Sequence, residues 1–134
     1  MNPEYMIILY IADQQLSRDF YSKVLKIRPT LDVPGMTEFI LSPGLKLGLM
    51  PEDGIARILG DKTPHPSSGH GIPRCELYLL NEKHTEMFQS ALDSGAIEVS
   101  PVLERDWGHS VGYVSDPDGH IIAFAKEIPV TPKK

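Results

Sequence analysis

Five histidines, one cysteine and one carboxylate on a strand-like run are the residues of this chain best suited to chemistry. His65 and His70 lie in a Pro/Gly-rich stretch, His84 on a helical stripe, His109 just before a strand and His120 just after a turn. Imidazole can hold a metal or carry a proton. Scattered this way, the five read as exposed loop residues plus one residue packing a helix on a sheet. A His70–His109–Glu76 constellation would need the Pro/Gly stretch to fold over a cleft. Cys75 has no glycine-rich elbow and no base near it in sequence, so it reads as a small buried hydrophobe rather than a nucleophile. No phosphate loop, dinucleotide fingerprint or zinc-type cysteine spacing occurs. Glu76 is the candidate catalytic group. A carboxylate in apolar surroundings favours its protonated form and can shuttle a proton. Its structural alternatives are pairing with Arg74 or Lys46, or simply facing solvent.

The elements that must position these residues come as one pattern stated twice. Met6–Ala12 is a short aliphatic run that reads as a strand buried on both faces. Asp13 can cap the helix that follows, Gln14–Leu25, whose apolar stripe is Leu16, Phe20 and Val24. Val33-Pro34-Gly35 is a turn, and strands follow at Thr37–Leu41 and Leu45–Met50. The pattern restarts with a strand at 75–80 and a helix from about Glu82 to Ser94, capped by Asn81 and stopped by Gly95. The stripe of that helix is His84, Phe88 and Leu92. Strands are expected at Ile97–Leu103, Ser110–Ser115 and Ile121–Ala125, with Asp116-Pro117-Asp118-Gly119 as a hairpin turn.

Between the two statements, residues 51–73 hold four prolines and four glycines. Gly54–Leu59 can make one helical turn, and the rest reads as loop. The predicted organisation is one domain over residues 1–128, with module one at 5–51, a bridge at 52–73, module two at 74–128 and a tail at 129–134. Each module is too small to bury its own core, so the two are expected to pack on each other around a cleft. A long bridge also allows modules to pair between chains, and a homodimer is expected.

Bulk properties narrow the function classes. A net charge of −5 argues against nucleic-acid binding and mildly favours neutral or cationic small partners. The run Tyr5–Ala12 falls far short of the roughly 20 apolar residues a membrane helix needs, and no leader pattern precedes it. A single cysteine fits a reducing cytoplasm.

Four features now carry a resemblance. They are the strand leading through Asp13 to Arg18-Asp19-Phe20-Tyr21-Ser22-Lys23-Val24-Leu25, the paired modules, Ser94-Gly95-Ala96 closing the second helix, and the run from Gly112 to His120. In order and at these spacings, from about Met6 to Glu127, the chain resembles the vicinal oxygen chelate superfamily. That superfamily holds glyoxalase I, bleomycin-resistance proteins, fosfomycin-resistance enzymes and ring-cleaving dioxygenases. The resemblance implies an α+β fold of tandem βαβββ modules. They would form a curved eight-stranded mixed sheet around a cleft, with two helices on the convex side.

The resemblance also implies where a catalytic divalent metal would sit, with two ligands from each module. Those positions fall on Met6, on Gly48 or its neighbours Leu47 and Leu49, on Glu76 (or Cys75), and on Ala123. At most one ligand survives, and one carboxylate does not hold such a cation. No metal ligands and no cofactor are therefore assigned.

If Met6 faces the cleft, alternation brings Ile8 and Tyr10 there, and likewise Glu76 with Tyr78 and Leu80, and Ala123 with Ile121 and Ala125. Trp107 in Trp107-Gly108 reads equally as a cavity border and as core. The expected ligand-binding set is Met6, Ile8, Tyr10, Gly48, Met50, Glu76, Tyr78, Trp107, Tyr113 and Ala123. An apolar surface with aromatic hydroxyls and one carboxylate suits a flat or partly cationic organic ligand, stacked on the rings and anchored by Glu76.

The leading expectation is a small-molecule-binding protein without the family metal. Alternatives are a glyoxalase-like lyase or dioxygenase with a displaced metal site, and a ligand-free structural or regulatory dimer. All share the expected homodimer, which light scattering at micromolar concentration reads directly: a monomer would overturn it.

Overall fold

The computed structural model describes residues 3–129, so positions 130–134 of the expected tail lie outside it. The chain divides into two compact units, Met1–Ile72 and Pro73–Lys134. The first holds β1 (Tyr5–Ile11), α1 (Gln14–Leu25), β2 (Leu31–Val33), β3 (Met36–Ser42), β4 (Leu45–Pro51) and α2 (Glu52–Leu59). The second holds β5 (Glu76–Leu80), α3 (His84–Asp93), β6 (Ile97–Glu104), β7 (His109–Ser115) and β8 (Ile121–Glu127). The fold class is α+β, as expected, and the eight strands fall into two four-stranded sheets, ordered β1-β4-β3-β2 and β5-β8-β7-β6. Each sheet is mixed: β1 runs parallel to β4 and β5 parallel to β8, while the other pairs are antiparallel. No helix among the described residues is long and apolar enough to cross a membrane.

In the first unit α1 packs on β3 and β4. Asp13 caps it as expected, accepting from the Leu16 backbone N–H at 3.0 Å. The buried stripe is Ser17, Phe20, Tyr21 and Val24, whereas Leu16 is exposed. Steps of four residues drift around a helix of 3.6 residues per turn, so the expected stripe Leu16–Phe20–Val24 runs off the sheet at its first member. Beneath α1 lies one face of the sheet, with Ile11, Thr37, Phe39, Leu47 and Leu49 all fully buried. β1 is not buried on both faces. It is an edge strand whose first three residues, Tyr5, Met6 and Ile7, are exposed.

The Pro/Gly bridge is more ordered than a loop. α2 begins at Glu52, two residues before the expected turn, and two short 3₁₀ turns follow at Gly60–Lys62 and Pro66–Gly69. Two acid–histidine pairs tie this segment to the start of α2: His70 Nε2 meets Glu52 Oε2 at 2.6 Å and His65 Nε2 meets Asp53 Oδ1 at 2.8 Å. These partners lie 18 and 12 residues apart in sequence, a distance that conceals the pairing.

In the second unit α3 covers β7 and β8, burying His84, Phe88 and Ala91. It starts two residues later than expected. Asn81 does not cap it, because its Oδ1 accepts from the Lys83 N–H at 2.8 Å in a tight turn ahead of the helix. Gly112 lets α3 approach: an added Cβ would lie 2.7 Å from both the Phe88 ring and Val102 Cγ2. The turn at Asp116 forms as read, with Gly119 at φ +88° and the buried Asp116 Oδ1 accepting from the Asp118 and His120 N–H groups at 2.8 Å.

His84 Nε2 contacts Ser110 Oγ at 3.0 Å, and its buried Nδ1 has no hydrogen-bond partner among the described residues. Burial lowers its pKa below 6.5, helped by Lys126 and opposed by Glu82. The unfolded chain therefore binds this proton more readily, so stability falls as pH drops through and below that ordinary value. Two outcomes follow from this packing. Gly112→Ala lowers unfolding free energy by about 1–3 kcal/mol, from overpacking against a ring and a branched side chain. Gly48→Ala, facing the movable ends of Met6 and Met36 side chains, costs less; chemical denaturation of both variants ranks them. In thermal melts between about pH 7.5 and 5.5, wild type loses more Tm than His84→Gln. Equal losses in the two proteins would show that His84 is not the titrating group.

Candidate functional site

Strand register sorts each sheet into a face beneath a helix and an opposite face. In the first unit, Ile8 lies opposite Gly48 and Tyr10 opposite Met50. A Cβ on Gly48 would meet Ile8 Cγ1 and Met6 Sδ at 3.1 Å and Met36 Sδ at 3.4 Å. The structure thus brings Met6, Ile8 and Gly48 together on the face away from α1, with Tyr10 and Met50 at the same register. Lys46 on this face pairs with Glu38 at 3.5 Å.

In the second unit, Glu76, Tyr78 and Leu80 lie opposite Ile121, Ala123 and Ala125 on one side, and Tyr113 and Val111 lie opposite Ala123 and Ala125 on the other. The small residues form a floor. Val111, Ala123 and Ala125 are fully buried, with Tyr78 and Tyr113 packed against them. Ala123 is thus a fully buried residue of the floor that Tyr78 and Tyr113 pack on.

The rings are held by a hairpin. Arg105 N–H donates to the His109 carbonyl at 2.8 Å, and Gly108 takes φ +85°, a conformation that suits glycine in a tight turn. The turn folds Trp107 back so that its Nε1–H donates to Tyr78 Oη at 2.9 Å. Tyr78 Oη also lies 2.6 Å from His109 Nδ1. Indole nitrogen only donates, so in the arrangement that uses every group the Tyr78 O–H donates to His109 Nδ1, and the histidine carries its own proton on Nε2. Trp107 is 55% exposed, which settles its two readings: it is not core.

Arg105 is the residue that sequence reasoning passed over. Its Nη2 donates to Ser100 Oγ, Pro101 O and Val111 O at 2.8–2.9 Å, and its Nε to Val111 O at 3.3 Å. The guanidinium carbon stands 5.2 Å from the Tyr113 ring centroid, a cation–π distance. Arg105 directly follows β6 and opens the turn that carries Trp107, a position that strand alternation does not reach. His109, read as a loop residue, is the first residue of β7 and half-buried.

Glu76 is exposed and forms no ion pair among the described residues, Arg74 included. Cys75 is exposed, not a buried hydrophobe, because it precedes the first ladder residue of β5. Pro73, Arg74, Cys75, Glu76 and Ile121 line an open groove of about 280 Å³. Burial raises the Tyr113 pKa above 10, aided by Glu76 and Tyr78 and opposed by Arg105, so the phenol stays protonated.

The donor set at the family metal positions does not fit a divalent cation. Met6 offers a thioether, Gly48 nothing, Ala123 a buried methyl and Glu76 one carboxylate. Among the described residues no three His, Cys, Asp or Glu side chains converge. His70 is engaged by Glu52 and His109 by Tyr78, each within its own unit.

Known proteins place this architecture. An uncharacterized protein of Mycobacterium bovis is 30% identical over 115 residues, 84% of this chain and 75% of its own. A glyoxalase-related enzyme from Fulvimarina pelagi superimposes with TM-score 0.79 at 23% identity, covering 100% of this chain and 94% of that one. TioX from Micromonospora sp. ML1 gives TM-score 0.68 at 16% identity, over 95% and 100% of the two chains. These two likenesses concern fold alone. The family model described as Glyoxalase-like domain matches residues 5–128, and with the relatives it shows that the chain belongs to the glyoxalase-like family, within the vicinal oxygen chelate superfamily.

Proposed function

We propose that this protein binds a flat organic molecule on the aromatic face of its second unit, without the catalytic metal usual in its family. The observation that carries the reading is the exposed Trp107 ring, pinned by its hydrogen bond to Tyr78. An exposed aromatic held in one orientation loses little further freedom when a ligand stacks on it. Tyr78 and Tyr113 extend the surface inward over the small-residue floor. Glu76, unpaired at the adjoining groove, anchors a cationic or hydrogen-bond-donating substituent. The face of the first unit away from α1, with Met6, Ile8, Tyr10, Gly48 and Met50, is proposed as a separate apolar binding surface.

The donor chemistry supports the metal-free part of the reading. Tag-free protein incubated with Ni, Zn, Mn and Fe(II), then desalted, retains less than about a tenth of a metal per chain. About one per chain would overturn the proposal in favour of a histidine-built site. A screen of planar aromatics read by Trp107 fluorescence then finds binders whose affinity changes more in Glu76→Gln than in His120→Ala. Equal effects of the two substitutions would mean that the ligand does not use this face.

A further inference from the structure

We infer that Arg105 is the receiving group for an acidic substituent of that ligand, so the molecule bound is an aromatic acid. The inference rests on the aromatic face being the binding site, and it adds the chemical class. Every acceptor of Arg105 is neutral: one hydroxyl and two backbone carbonyls. No carboxylate pairs with it among the described residues, and its Nη1 carries no hydrogen bond. A half-buried guanidinium without an anion is an uncommon arrangement, because partly desolvated cations are ordinarily paired.

Its position is fixed. Four hydrogen bonds hold Nε and Nη2 against the irregular part of β6, where register shifts occur between Glu98 and Leu103. The guanidinium plane therefore cannot swing away to solvent, and the remaining Nη1 is the free prong of a preorganised fork. Below it lies the Tyr113 ring, and Tyr78, which accepts the Trp107 hydrogen bond, packs on the same small-residue floor. A ligand ring stacked on this row puts a carboxylate or a similar flat anion beside Nη1.

Glu76 is the other charge of this face. It lies on β5, at the opposite edge of the sheet from β6, which Arg105 follows, so an anion is favoured beside Arg105 and disfavoured toward Glu76. The two charges give the face a polarity along which an asymmetric ligand must align. Recognition of the acid is thus distinct from the stacking that Trp107 supplies.

The test compares a naphthalene carboxylate with its uncharged carboxamide, matched in ring and size, by calorimetry and Trp107 fluorescence quenching. Wild type binds the carboxylate about tenfold more tightly, as expected for one charge-assisted contact in a partly desolvated site. Arg105→Gln abolishes the preference but leaves carboxamide affinity in place, Arg105→Lys retains part of it, and Glu76→Gln increases it. Equal binding of acid and amide by wild type overturns the inference while leaving the aromatic-face reading intact. Binding of neither probe overturns both. Because Arg105 also secures β6, near-UV circular dichroism checks the folding of each variant, and the wild-type comparison stands without any substitution.

Discussion

A four-stranded sheet has two faces, and one helix covers only one of them. That constraint governs each unit here. α1 and α3 each bury a face of close-packed aliphatic and aromatic side chains, and the opposite face must be finished by its own side chains. The two units solve this differently. The first leaves thioethers, an isoleucine and a tyrosine around a bare glycine, with Lys46 and Glu38 paired among them. The second lays tyrosines over alanine and valine and returns a hairpin so that an indole and a guanidinium close the layer. Small residues below and large ones above follow from pleated geometry, since rings can lie flat only over side chains that do not reach up.

Much of the fold was legible because its signals are local. The Asp13 cap, the Asp116–Gly119 turn and the alternation in β1, β5 and β8 depend on neighbours within four residues. What failed depended on distance. Leu16 looks like stripe material until the sheet beneath α1 is known to end before it. The bridge looked structureless because proline and glycine were weighed by composition, while two histidines reach back 12 and 18 residues to Asp53 and Glu52. β2, only three residues long, carries almost no periodic signal of its own.

The candidate site was legible as a face and illegible as a chemistry. Alternation grouped Glu76 with Tyr78 and Leu80, and Ala123 with Ile121 and Ala125, and the ladder sets the two groups opposite each other. It could not show that Ala123 and Ala125 are fully buried beneath packed tyrosines. Arg105 was missed for a related reason. A lone arginine next to Glu104 and Asp106 reads as a solvated charge, yet its hydrogen bonds all run to groups that sequence cannot place beside it.

The position of Cys75 has a practical bearing of another kind. It is the single thiol of the chain, it is exposed, and it lines the groove that contains Glu76. A maleimide dye would attach at one known place, a few bonds from the candidate binding surface, and report occupancy without disturbing Trp107. The same thiol can also oxidise against that of another molecule. A covalent pair formed in air would masquerade as a native assembly, so any mass measured without reductant would describe the chemistry of storage as much as that of the protein.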